Sequence, residues 1–162
     1  MNESSRQGKQ EAASEGIILG PGEGRIIPGT DAITLKATSE QTGGSIGFLE
    51  ATSLPGYGGP SRHIHHSYDE LFYVLEGEFL FLVGERQASA LPGTFVFIPR
   101  GRVHAAKVIG REPGKVLIAY IPGAWSAPSR SSFRLAPEVA QLQRLPLIRW
   151  VTLVNNRGET QD

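Results

Sequence analysis

The sequence predicts an all-β fold, a β-sandwich or small barrel followed by a short helix near the C-terminus. Three observations carry this reading. Short β-prone segments succeed one another from Ile17 to Ile121. Turn formers punctuate them, with 20 glycines and 11 prolines in 162 residues. No long helical periodicity interrupts the series, and that combination belongs to two-layer or closed β architectures.

The segments follow in order. Residues 1–15 are polar and are expected to form a disordered tail. Strands are predicted over 17–19, 25–27, 33–38 and 45–52, then 62–65, 70–75, 78–83 and 87–90, and finally 94–98, 103–109 and 115–121. Gly43-Gly44, Pro55-Gly56, Gly58-Gly59-Pro60, Pro92-Gly93, Arg100-Gly101 and Pro113-Gly114 supply turns between them. Residues 70–75 and 79–83, joined by the hairpin signal Glu76-Gly77-Glu78, are apolar on both parities. Such strands either lie inside a two-layer sandwich or have their outer face covered by a partner chain. Residues 123–132 are polar and rich in breakers. Residues 137–145 fit a short helix, with Pro137 in its first turn and Val139, Leu142 and Leu145 on one side, before Pro146 stops it. Residues 147–154 read as a strand or an extended apolar arm.

Length and composition bound the function classes. One domain is expected, with an ordinary apolar fraction of 40%. Sixteen basic and sixteen acidic residues cancel, so no charge excess points to nucleic acid or an anionic membrane. The absence of cysteine excludes a disulfide framework and fits a reducing compartment. The polar N-terminal stretch has no apolar core of a secretory signal, and no apolar run approaches the ~20 residues of a membrane span. A cytoplasmic protein is the expectation.

Chemistry concentrates in one spaced pattern: His63, His65, Glu70, Gly77, then Gly93, Pro99, Gly101, His104. Without thiolates, imidazole and carboxylate are the available ligands for a divalent transition metal. His63 and His65 are two apart on an extended segment, so their side chains share a face, about 7 Å apart along the strand. Glu70 stands at an odd offset from His65, so 67–69 must turn or bulge before Glu70 opens a new strand. His104 joins only if its distant strand lies beside the others. His66 has the opposite parity from His65 and is expected to stay out of the set. The inward parity of Glu70 is shared by Phe72 and Val74, and that of His104 by Ala106 and Val108, which predicts an apolar substrate pocket. Arg62 and Lys107 have outward parity, which disfavours a phosphosugar ligand. No spacing argument places Tyr120 or Trp125.

These residues resemble the two motifs of the cupin superfamily. The first is a glycine, His-x-His, three or four residues, Glu, six residues, Gly, matched by His63, His65, Glu70 and Gly77. The leading glycine is displaced: Tyr57 stands in its place, with Gly58 and Gly59 just after. The second is Gly, five residues, Pro-x-Gly, two residues, His, three residues, Asn, matched by Gly93, Pro99, Gly101 and His104, with Val108 at the asparagine position. The flanks, at 36–44 and 72–78, look like the small single-domain cupins often grouped with quercetin dioxygenase. The resemblance implies a double-stranded β-helix, or jelly-roll, barrel over 16–122, with 123–162 as a C-terminal extension. It also implies a metal inside the barrel and often a homodimer.

Three imidazoles and one carboxylate around a divalent ion leave a net charge near +1 and open positions for a bidentate oxygen donor. One such ion per chain is expected: Fe, Ni, Mn, Cu, Co or Zn. Glu70 is the candidate catalytic residue, able to leave the ion and act as a general base. Three functions are open at this point. The first is a quercetinase-like dioxygenase that takes dioxygen and a small oxygenated apolar or aromatic substrate. The second is a non-redox isomerase or lyase. The third is a non-catalytic module that binds a small ligand.

Overall fold

The computed structural model describes residues 16–27 and 31–123. The predicted tail at 1–15, the helix at 137–145, the arm at 147–154 and Trp125 lie outside the described residues. Nine strands are present among those described: β1 (Arg25–Ile27), β2 (Ala32–Ala37), β3 (Gly47–Ser53), β4 (Asp69–Glu76), β5 (Phe79–Val83), β6 (Arg86–Ala90), β7 (Phe95–Ile98), β8 (His104–Val108) and β9 (Gly114–Ile121). Six form one antiparallel sheet in the order β1-β2-β3-β9-β4-β7, and three form the second in the order β6-β5-β8. The fold is all-β, with two antiparallel sheets facing each other as in a jelly-roll barrel. Among the described residues no helix is long and apolar enough to cross a membrane.

Side-chain parity explains the layering. On β4, Glu70, Phe72 and Val74 are buried, while Leu71 and Leu75 are only partly covered and Tyr73 is exposed. Val116, Ile118 and Tyr120 on β9 and Leu49 and Ala51 on β3 continue the inner face, in register with them. The second sheet meets this face with Phe79 and Phe81. Phe72 and Phe81 stack edge to face with ring centres 5.1 Å apart, an arrangement the ring quadrupoles favour. β5 is buried on both parities, as its sequence suggested.

Two glycines are required where β4 turns into β5 and where β9 begins. Gly77 has φ of +78°, and a Cβ there would lie 2.7 Å from Gly114 Cα. A Cβ on Gly114 would lie 2.5 Å from the Phe79 ring. The hairpin and β9 therefore cross at a point where only glycines fit.

Two predicted strands are absent. Residues 17–19 pair with no strand among the described residues, and Ile18 is 99% exposed. Residues 62–65 make a single isolated bridge, His63 to His104. The cause is local. The edge of β8 is already covered at its far end by the preceding loop, through Gly56 N–H to Val108 O and Val108 N–H to Tyr57 O. Between these two contacts Gly59 takes φ of +96°, and Pro60 has no N–H to donate, so the ladder breaks.

Candidate metal centre

Main-chain hydrogen bonds bring the four candidate ligands together. His63 N–H donates to His104 O and His104 N–H to His63 O, both at 3.0 Å. Gly101 N–H donates to His65 O at 2.7 Å, tying the loop before β8 to the histidine segment. The start of β4 is clamped to the same loop: Asp69 accepts from Arg100 N–H at 2.8 Å and from its Nε and Nη2 at 3.1 Å each. These hydrogen bonds from Arg100 hold the Asp69 carboxyl below the usual range. The chain bends at 66–67, and after Tyr68 β4 begins at Asp69, so Glu70 turns inward as its odd offset required.

One donor atom from each of His63, His65, Glu70 and His104 lies within 4.8 Å of the others. His63 Nε2 is 3.2 Å from His65 Nε2, His65 Nε2 is 3.2 Å from Glu70 Oε2, and His104 Nε2 is 2.8 Å from Glu70 Oε2. Ligands about 2.1 Å from one centre stand about 3.0 to 3.4 Å apart in octahedral or tetrahedral geometry. The two 3.2 Å spacings fall in that range, and the 2.8 Å between His104 and Glu70 is just below it. His66 is exposed and outside the group.

The proton positions give a second test of fit. His63 Nδ1 is 2.9 Å from Ser61 O, and His104 Nδ1 is 2.9 Å from Arg102 O. A carbonyl only accepts, so both Nδ1 atoms carry the hydrogen. In the neutral rings both Nε2 lone pairs then point into the cluster, His63 toward His65 Nε2 and His104 toward the Glu70 carboxylate. Between His104 Nε2 and Glu70 Oε2, two acceptors 2.8 Å apart need a cation between them, either a proton or a metal ion. Burial holds His63 neutral down to about 4, helped by the neighbouring His104 and His65. Burial alone would raise Glu70, but hydrogen bonds from His104 and His65 outweigh it and bring the carboxyl to about 2. A neutral imidazole and an ionised carboxylate are the forms that bind metals. The residues fit a divalent ion: His63, His65, Glu70 and His104 would hold it.

The group lies on the wall of a cavity of about 370 Å³. Phe72 and Ala106 line it, as their parity suggested, together with Leu49 and Ile118. Val74 and Val108 do not. They point inward but are 0% and 1% exposed, packed into the core beyond the cavity floor. Tyr68 and Tyr120, which strand parity did not point to, also line the cavity. Tyr68 stacks on His65 at 4.4 Å between ring centres, and Tyr120 meets Tyr68 edge-on at 5.1 Å. Burial, with the Glu70 charge nearby, pushes the Tyr68 hydroxyl up to about 12, so it remains a donor. Tyr68 lies in the turn whose geometry no parity rule fixes. Tyr120 shares the Glu70 register on β9, a signal that pairing of those two strands would have revealed.

Two antiparallel sheets enclose a largely apolar cavity, and three imidazoles and a carboxylate that could hold a metal ion converge on its wall. Residues 50–120 match the Cupin domain family model. Similar solved structures include TT1209 from Thermus thermophilus, with 28% identity, 60% of this chain and 89% of that one covered, and TM-score 0.52. KdgF from Halomonas sp. has 17% identity, with 67% and 93% covered and TM-score 0.56. An RmlC-like cupin from Shewanella frigidimarina has 19% identity, with 72% and 94% covered and TM-score 0.55. No curated protein matches the sequence. The family match supports the cupin superfamily for residues 50–120, and these neighbours share the fold.

Proposed function

We propose that the protein is a metal-dependent dioxygenase acting on a small oxygenated apolar or aromatic compound. The observation that carries the reading is the composition of the cavity: four convergent metal donors on a largely apolar wall, with no lysine or arginine lining it among the described residues. Phosphate and carboxylate substrates ask for such cations. A divalent ion held by the four residues would supply Lewis acidity and, where redox-active, one-electron chemistry. The donor set carries one negative charge, so the loaded site stays near +1 and favours a deprotonated, bidentate oxygen donor. Phe72, Ala106 and Ile118 offer an apolar body its partner surface and exclude water. Glu70 accepts the substrate's hydroxyl proton when substrate competes for its place. Tyr68, with its ring against His65, keeps that imidazole from swinging.

Oxygen uptake tests this. With Fe, Mn, Ni, Co or Cu restored, the protein is expected to consume oxygen in the presence of a flavonol, catechol or β-dicarbonyl compound. Turnover that proceeds equally well without oxygen contradicts the dioxygenase and points to Lewis-acid isomerase or lyase chemistry at the same residues.

We also propose a homodimer. The outer face of β4 and β7 presents Tyr73, Phe95 and Phe97, which are 45%, 59% and 50% exposed, and Tyr73 pairs directly with Phe95. A contiguous apolar sheet face of this kind favours coverage by a second copy. A monomer of the formula mass in sedimentation at micromolar concentration contradicts it.

A further inference from the structure

The end of the cavity away from the metal group is not apolar. Asp31 lines it, and its Oδ1 is closed off from solvent with no hydrogen-bond partner among the described residues. Ala32 pairs with Thr52, so Asp31 stands one step on, level with Ser53, which pairs with Gly114. Glu70 pairs with Tyr120. Gly114 and Tyr120 are separated by six residues of β9, about 20 Å of strand. Asp31 and Glu70 therefore mark opposite ends of one elongated space, with Ile33, Ala51 and Val116 along the wall between them.

A carboxylate accepts hydrogen bonds and cannot donate them when ionised. Buried acceptors are satisfied in folded proteins, and the exceptions call for a reason. Among the described residues no lysine or arginine lines the cavity to serve Asp31, and Ser53 is the small polar neighbour at its level.

We infer that Asp31 is a specificity-determining residue that receives a hydroxyl or ammonium donor at the far end of an elongated ligand whose other end binds the metal. The ligand class is an oxygenated chelating head, an apolar middle and a hydrogen-bond donor at the tail. A carboxylate or phosphate tail is excluded by repulsion from Asp31. This inference rests on the proposed function for the head end and adds the requirement at the tail.

The test uses the full chain loaded with zinc, which does not consume the probe, and calorimetric titration with catechols. The catechols carry linear chains of graded length ending in methyl, hydroxyl or ammonium. At the matching length the hydroxyl or ammonium ending is expected to bind roughly 10- to 100-fold tighter than the methyl ending, the range for a hydrogen bond to a charged group. In Asp31→Leu that preference is expected to vanish, while plain catechol binds as before. Asp31→Asn keeps an acceptor without the charge, so loss of the ammonium preference alone marks a cationic tail, and its retention with hydroxyl marks a neutral one. No preference at any length in the wild type, or a preference that survives Asp31→Leu, overturns the inference. Failure of plain catechol to bind overturns the metal-end reading instead. A melt of the same zinc-loaded protein without catechol then decides Asp31 by itself. A midpoint unchanged or raised in Asp31→Leu supports a residue kept for a ligand, and a fall of several degrees shows a structural one.

Discussion

His104→Ala probes the centre most sharply, because His104 is its most buried member at 1% exposure. Its Nε2 lies 2.8 Å from Glu70 Oε2, its Nδ1–H is anchored on Arg102 O, and its ring sits 4.1 Å from that of His63. The substitution removes one of four donors and leaves Glu70 with His65 at 3.2 Å as its remaining partner in the cluster. Removing merely an outer hydrogen-bond partner of a metal ligand costs about 10- to 100-fold in affinity. Loss of a direct ligand is expected to exceed the upper figure, a penalty above about 2.7 kcal/mol. The metal-free fold should survive. The bonds that join His63 and His104 are main-chain bonds and remain, and the void left by a buried ring costs about 2–4 kcal/mol, judged from large-to-small core substitutions. Chelator competition with zinc at neutral pH measures the affinity, and circular dichroism checks the fold. A variant that is folded and binds zinc within threefold of the wild type refutes His104 as a ligand.

Glu70→Gln keeps the shape but removes the ligand charge and the base, so oxygen uptake is expected to vanish even where some metal remains; substantial uptake in a metal-loaded variant shows that the charge is dispensable. Gly114→Ala drives a Cβ to 2.5 Å from the Phe79 ring. Overpacking of this kind costs about 1–3 kcal/mol, and an unchanged urea midpoint would show that the hairpin crossing can yield. Acid should destabilise the metal-free protein. The His63 pKa falls from 6.5 unfolded to about 4 folded, chiefly through burial, so its contribution is complete above about 6.5 and is lost as pH falls toward 4. Glu70 acts with the same sign below 4.5: burial opposes its ionisation, but the hydrogen bonds from His104 and His65 hold it at about 2. Melting in chelator at pH 7 and pH 4.5 reads the difference, and a midpoint that rises toward acid contradicts the assignment.

Much of this was legible in the sequence for a simple reason. Period-two parity fixes which side of a strand faces the core, and Glu70, Phe72 and Val74 obeyed it. The pairing of His63 with His65 was legible from strand parity, and the grouping of Glu70 and His104 with them from the resemblance to the two cupin motifs. What parity could not give was depth. Val74 and Val108 share a face with the ligands yet sit in the core, while Ala106, two residues from Val108, lines the cavity. Nor could local sequence show that 62–65 would fail as a strand, because the failure arises where Gly59 and Pro60 break pairing with β8. Asp31 was invisible for the same reason: its place opposite Glu70 follows from the pairing of β2, β3, β9 and β4.

His63, His65, Glu70 and His104 are expected to hold one metal ion. Elemental analysis of untagged protein, purified without a metal-affinity column and without chelator, tests it most directly. About one equivalent of a first-row divalent metal per chain is expected in the wild type, and its loss in His104→Ala. A wild-type protein that carries no stoichiometric metal, and takes up none from Fe, Mn, Co, Ni, Cu or Zn offered at neutral pH, contradicts it.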